Sequence, residues 1–291
     1  PPAAHTPTPT EAASTDWDLA RDVVGMWEYV DGDWRYYFDF FADGRVIISQ
    51  SGVRPYSVRD ARTLVIQMPN GEWSINVVDL TPERLTLEGV INASDEFQRV
   101  EGTPDLESKI VGLWLDESGE FPSVEFTGDG IAVGEFGRGT YQVMSHNSVL
   151  VECDQPENCT MYLEYGQADD APLSLRMYGA TDTQLTLQGF GFGQQWTLER
   201  RAGIPDLTTK LLGRWEDDWG FSNEFADGGE WIVDGDVYGS YEVLSSSTLW
   251  TMLEGEGMPL VVFELTDSRL VYAEWGYFYE DELWVYARAS D

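Results

Sequence analysis

Asp105-Leu106-Glu107-Ser108-Lys109-Ile110-Val111-Gly112-Leu113-Trp114 is one of three versions of the same stretch. Asp18-Leu19 leads to Gly25-Met26-Trp27, and Asp206-Leu207 leads to Gly213-Arg214-Trp215, with the same interval from aspartate to glycine each time. The recurrence extends outward in order. Phe40-Phe41-Ala42-Asp43-Gly44 matches Phe126-Thr127-Gly128-Asp129-Gly130 and Phe225-Ala226-Asp227-Gly228. Tyr56-Ser57-Val58 matches Tyr141-Gln142-Val143 and Tyr241-Glu242-Val243. The block from Thr81 to Leu87 matches those from Thr181 to Leu187 and from Thr266 to Tyr272. Each unit closes on an arginine (Arg99, Arg200, Arg288), and the joints Gly102-Thr103-Pro104-Asp105 and Gly203-Ile204-Pro205-Asp206 repeat as well. Self-similarity of this kind marks repeated structural units. It divides the chain into a Pro/Thr-rich linker, 1–16, and three units, 17–102, 103–203 and 204–291.

Each landmark has a local physical meaning. An aspartate accepts hydrogen bonds from backbone N–H groups at a helix start, so Asp206 to Gly213 reads as one or two helical turns. Lys210 sits near the C-terminal end, where a cation is favoured, and glycine ends the helix. Asp-Gly pairs are tight-turn signals between strands. Thr-x-x-x-Leu-Thr-Leu alternates polar and apolar, as a half-buried strand does. The first unit contains eight short runs of this kind, at 27–30, 35–41, 45–50, 54–59, 62–68, 72–79, 84–90 and 95–100, with no amphipathic helix between them. Consecutive strands without crossover helices make an antiparallel meander. Eight of them close into a barrel with no exposed edge. The expected fold is therefore all-β: three tandem antiparallel up-and-down barrels, each preceded by a short helix.

Composition bounds the partners. The 291 residues include 52 acidic and 17 basic ones, a formal charge of −35. Phosphate backbones and anionic membrane surfaces require a cationic face, so nucleic acid is excluded as a partner. The only lysines are Lys109 and Lys210. Such acidity keeps a secreted protein soluble; adaptation to high salt and weak Ca²⁺ sites are the other readings. No run approaches the roughly 18–20 apolar residues of a membrane span. Cys153 and Cys159 flank a Pro-Glu-Asn turn, and a disulfide there would pin a loop or hairpin tip of a secreted chain.

A short helix running into Gly-x-Trp on the first strand, eight up-and-down strands and a last-strand arginine together resemble the lipocalin (calycin) fold, most closely the short lipocalin-like domains of bacterial envelope proteins. The resemblance implies that Trp27, Trp114 and Trp215 pack under their barrel floors, with Arg99, Arg200 and Arg288 lying across the rings; guanidinium stacks well on indole. Units of about 90 residues are short for that barrel, and small barrels can be filled by their own side chains. The sequence leaves hollow and filled barrels both open.

Catalytic patterns are missing. His5 lies in the tail and His146 in a polar turn, and neither a nucleophile elbow nor a zinc-protease motif nor a phosphate-binding glycine loop occurs. Gly189-Phe190-Gly191-Phe192-Gly193 reads as a bend with aromatic packing. Asp31-Gly32-Asp33, Asp234-Gly235-Asp236 and Glu216-Asp217-Asp218 cluster oxygen ligands without the twelve-residue calcium-loop pattern, so they read as solvated turns. No enzyme activity, cofactor or metal site is expected. Trp34-Arg35-Tyr36-Tyr37, Trp219 with Phe221, and Trp275-Gly276-Tyr277-Phe278-Tyr279 crowd aromatic rings; any facing outward beside carboxylates would bind carbohydrate or protein. Thr6-Pro7-Thr8-Pro9-Thr10 favours extended polyproline geometry. The tail is expected to follow a removed signal or a lipid anchor and to be capable of self-association through residues 1–15. The functional expectation is a non-catalytic extracellular or cell-envelope protein whose barrels bind a carbohydrate, a small apolar ligand or a partner. The alternative is a structural subunit of a filament or surface layer.

Overall fold

The structure, a computed structural model, describes residues 17–32, 34–49, 52–116, 123–134, 136–155, 172–188, 195–253, 255–274 and 283–289. It contains three closed eight-stranded antiparallel barrels in tandem. The first consists of α1 (Leu19–Asp22), β1 (Gly25–Asp31), β2 (Trp34–Phe40), β3 (Arg45–Ile48), β4 (Gly52–Asp60), β5 (Thr63–Met68), β6 (Gly71–Leu80), β7 (Arg84–Glu88) and β8 (Asp95–Val100). The second consists of α2 (Leu106–Ile110), β9 (Gly112–Leu115), β10 (Val124–Phe126), β11 (Ile131–Gly134), β12 (Gly137–Val143), β13 (Ser148–Cys153), β14 (Leu173–Ala180), β15 (Gln184–Gln188) and β16 (Trp196–Arg201). The third consists of α3 (Leu207–Leu211), β17 (Gly213–Glu216), β18 (Ser222–Phe225), β19 (Glu230–Val233), β20 (Asp236–Val243), β21 (Thr248–Leu253), β22 (Glu256–Leu265), β23 (Arg269–Glu274) and β24 (Trp284–Arg288). First strand pairs with last in every barrel: Trp27 with Arg99, Trp114 with Arg200 and Trp215 with Arg288.

That pairing builds a floor. The three tryptophans are completely buried, and the guanidinium carbons lie 4.1, 4.3 and 4.4 Å from the ring centroids. Each indole N–H donates to a carbonyl of the preceding helical segment: Val23, Ile110 and Leu211. Each arginine donates to two more carbonyls there: Asp22 and Val24, Lys109 and Val111, Lys210 and Leu212. A helix end leaves carbonyls without intrahelical partners, and these side chains satisfy them. The glycine belongs to the same device. Gly25, Gly112 and Gly213 have φ of +119°, +139° and +116°, and a Cβ there would lie 2.5, 3.2 and 3.1 Å from the arginine Nη1.

The capping expectation is corrected. None of Asp18, Asp105 and Asp206 caps its helix through the side chain; Asp105 and Asp206 adopt left-handed backbone at φ of 58° and 60°. Their carbonyls start the helix instead, accepting from Lys109 and Lys210 N–H. Aspartate tolerates left-handed φ better than most residues, which accounts for its place at two of these positions. The other landmarks are pins. Tyr56, Tyr141 and Tyr241 donate their hydroxyls to the carbonyls of Phe41, Thr127 and Ala226, anchoring the turn that follows the second strand. Thr81, Thr181 and Thr266 hydroxyls accept from the N–H of Arg84, Gln184 and Arg269, shaping the turn before the seventh strand.

The barrels dock head to tail through two equivalent junctions. Thr103 and Ile204 N–H donate to the carbonyls of His146 and Ser246, seating each joint on the following barrel. Outward residues of β1–β3 (Met26, Tyr37, Ile47) meet Leu150 of β13 at the first junction. Leu113, Leu115 and Val133 meet Val261 and Trp250 at the second. A buried acid sits in each: Asp39 accepts from Ser145 and Ser148 hydroxyls at 2.7 and 2.6 Å, and Glu125 from Ser245. Strand register makes Arg176 the equivalent of Val261 (opposite Ser148 and Thr248), and Glu28 that of Leu115. An ion pair, Arg176 Nη1 to Glu28 Oε1 at 2.8 Å, thus holds the first junction where apolar side chains hold the second.

Candidate functional site: the open end of barrel 3

The interior of a small barrel is filled wherever inward side chains are large and apolar. Barrel 1 follows that rule above Trp27. Phe38 packs with Phe40, Trp73 and Phe97 at ring separations of 5.5, 6.1 and 5.4 Å, and Tyr29 and Tyr36 close over Phe97 at 5.7 and 6.4 Å.

Barrel 3 replaces this plug. Register aligns Asn223 with Phe38, Trp231 with Val46, Tyr272 with Leu87 and Tyr286 with Phe97. Two residues beyond the floor tryptophan, Asp217 stands where barrel 1 has Tyr29. The result is a cavity of about 290 Å³. Its walls are Asn223, Trp231, Val233, Leu260, Tyr272, Glu274 and Tyr286, and its rim is Asp217, Phe221, Tyr238 and Trp284. Phe221, Tyr238 and Trp284 are 58%, 48% and 48% exposed, whereas Tyr272 and Tyr286 are buried.

The cavity is held rigid by its own polar groups. Trp231 Nε1 donates to Asn223 Oδ1 at 2.8 Å, and its ring meets Tyr238 edge-on at 5.2 Å. Tyr272 and Tyr286 stack with centroids 5.5 Å apart and planes 6° from parallel. Asp217 Oδ1 accepts from Trp219 and Phe221 N–H, fixing the β17–β18 turn, and Asp234 Oδ1 accepts from Ser222 N–H. Burial above all, then Tyr286 and the negative charges of Glu274 and Asp217, push the Tyr272 hydroxyl well above the ordinary tyrosine range. Burial also raises Tyr286, with Asp217 and Asp234 adding to it. Both tyrosines therefore remain neutral donors at physiological pH. Among the described residues that line the cavity, none is basic.

Barrel 2 shows what the same positions look like without these groups. It keeps an acid, Asp116, but carries Val124, Ala132, Leu187 and Leu198 where barrel 3 has Asn223, Trp231, Tyr272 and Tyr286. All four are buried in an apolar cluster.

The structure brings together the three tryptophan–arginine pairs that the repeat singles out. Cys153 ends β13, but Cys159 lies outside the described residues, as do His5, residues 1–16, Asp33, the Gly189–Gly193 stretch and residues 275–282. His146 is exposed, and its carbonyl serves the first joint. Among the described residues no three His, Cys, Asp or Glu side chains gather as metal ligands, and no helix is long and apolar enough to cross a membrane. Of the aromatic stretches, Tyr36 and Tyr37 are absorbed by core and junction, while Trp219 is 87% exposed beside the rim. The cavity itself is not among the sequence expectations. A signal for it exists: aligning the repeats landmark by landmark, at the tryptophan, at Phe40 and Phe225, at the Thr81 and Thr266 blocks and at the closing arginine, puts Asp217, Asn223, Tyr272 and Tyr286 at positions that barrel 1 fills with apolar or aromatic side chains. No protein-family model matches the chain, and no curated protein matches it either.

Proposed function

We propose that the chain is a non-catalytic binding protein in which barrel 3 takes a small ligand and barrels 1 and 2 are the rigid support. The observation that carries this is internal to the molecule. One barrel has exchanged the apolar plug of its siblings for a cavity edged with aromatic rings and a few polar groups, the usual make-up of a ligand site. The likeness to lipocalin-like envelope domains, the acidic charge, the extracellular or envelope location and a Cys153–Cys159 bridge belong to this same reading. The floor geometry supports the likeness, and the sequence supports the rest.

The alternative, a filament subunit assembled through residues 1–15, has less support. Each outer end of the array carries a polar side chain at one position where the junctions are apolar or paired: Arg214 replaces the buried Met26 and Leu113, and Asn76 stands at the Arg176 position. Terminal repeats with polar outer faces end an array rather than extend it.

Hydrogen exchange on the full chain tests the binding reading. A neutral probe, 3,3-dimethylbutan-1-ol, is expected to protect the strands around Tyr272 and Tyr286 and to leave the Phe38 region of barrel 1 unchanged. Leu260→Trp, which places an indole in the cavity, should abolish the effect; Val233→Phe serves if that variant does not fold. Protection spread over all three barrels, or none with either this alcohol or its trimethylammonium analogue, would remove the proposal.

A further inference from the structure

We infer that the barrel 3 cavity is selective for a small organic cation, an alkylated ammonium group seated among the tyrosine and tryptophan rings with Asp217 and Glu274 as counter-charges. This rests on the reading of the cavity as a ligand site and goes further by naming the ligand class. Three independent features converge. Trp231, Tyr272, Tyr286 and Trp284 line the space, and Trp and Tyr rings attract cations most strongly through the ring quadrupole. Asp217 and Glu274 line the same space, with no basic side chain among the described lining residues to neutralise them; Arg288 and Lys210 lie at the opposite end of the barrel, beneath Trp215. The chain's formal charge of −35 also draws cations toward the mouth and repels anions.

A neutral sugar fits the same lining less well. Sugar hydroxyls need matched donors and acceptors, yet Asn223 Oδ1 already accepts from Trp231, and the Tyr272 and Tyr286 hydroxyls sit 3.5 Å from one another. An ammonium group with alkyl substituents needs no directional bonds. It needs only aromatic rings and nearby negative charge, and both line the cavity. Barrel 2 is the built-in contrast: Asp116 is retained there, but the aromatic wall is not.

Calorimetric titration of the full chain at low salt tests this with choline, with its neutral isostere 3,3-dimethylbutan-1-ol and with glucose. Choline is expected to bind at least tenfold tighter than the isostere. Asp217→Asn with Glu274→Gln should bring choline down to the affinity of the isostere measured on the same variant; a tenfold preference that survives would overturn the inference. Equal affinity for choline and isostere would overturn the cation inference and leave the cavity reading intact, as would tighter binding of glucose. Absence of binding by all three probes would overturn both.

Discussion

Arg200 satisfies the helix end, covers the floor tryptophan and dictates the glycine, all with one side chain. Its Nη1 and Nη2 donate to Val111 and Lys109 carbonyls while its plane lies over Trp114. Hydrogen bonds from charged groups contribute about 1.5–3 kcal/mol when their loss strands a partner, and a desolvated cation–π contact adds roughly 1–2. Arg200→Ala should therefore cost about 2–4 kcal/mol in urea unfolding of the full chain. Arg200→Lys should recover only part, since an ammonium cannot fork to two carbonyls and stack at once. A loss below about 0.5 kcal/mol would mean the latch is ornamental. The repeat marked both partners at fixed ends of a unit that occurs three times, and the resemblance to the lipocalin fold is what paired them. The role of Asp105 and Asp206 was not legible in the sequence. Whether an aspartate caps with its side chain or bends with its backbone depends on φ, which the surrounding joint sets.

The two junctions use the same strands with different chemistry. At the first, Arg176 is wholly buried, paired with Glu28 and stacked on Tyr37 and Tyr178 at 4.9 and 4.0 Å. Its Nε and Nη2 have no hydrogen-bond partner. Removing one member of a buried pair typically costs about 3–5 kcal/mol, whereas replacing both with apolar groups is often neutral or stabilising. Glu28→Leu should thus destabilise by roughly 3–5 kcal/mol, and Glu28→Leu with Arg176→Val, which copies the second junction, should recover most of it. A double variant as unstable as the single one would contradict the equivalence of the junctions. The ion pair also discriminates between docking partners, because Leu115 offers Arg176 no counter-charge. None of this was legible from patterning: an outward residue on a strand reads as solvated until a neighbouring barrel covers it, and Asp39 and Glu125 look like ordinary surface acids.

The assembled molecule couples its stability to pH through those junction acids. Burial raises Asp39, with Ser145 and Ser148 only partly offsetting it, and burial likewise raises Glu125, whose Oε2 lacks a hydrogen-bond partner. A raised folded-state value means the folded molecule holds the proton more tightly, so these two contribute stability that is present at low pH and lost as pH rises through their folded values. Glu28 behaves oppositely. Burial alone would raise it, but Arg176 and Arg35 outweigh that and hold it below the usual carboxylate range. Its contribution is present at neutral pH and lost on acidification below that range. The thermal midpoint should therefore rise as pH falls from neutral toward the ordinary carboxylate values, then drop at lower pH. In Asp39→Asn with Glu125→Gln, the rise should be smaller than in the parent, and the low-pH drop should persist. An identical rise in both proteins would assign it to relief of general self-repulsion at −35 instead.

By itself the sequence determined the threefold repeat and the strand count, because each is a local pattern of turn, alternation and end residue that recurs in register; the floor latches were expected from the resemblance which that pattern carries. The tertiary structure decided which barrel is hollow and what joins the barrels. Asn223, Tyr272 and Tyr286 become a cavity only when eight strands close around them, and Glu28 finds Arg176 only when two barrels dock; both depend on which distant side chains share a volume, and strand periodicity carries no information about that.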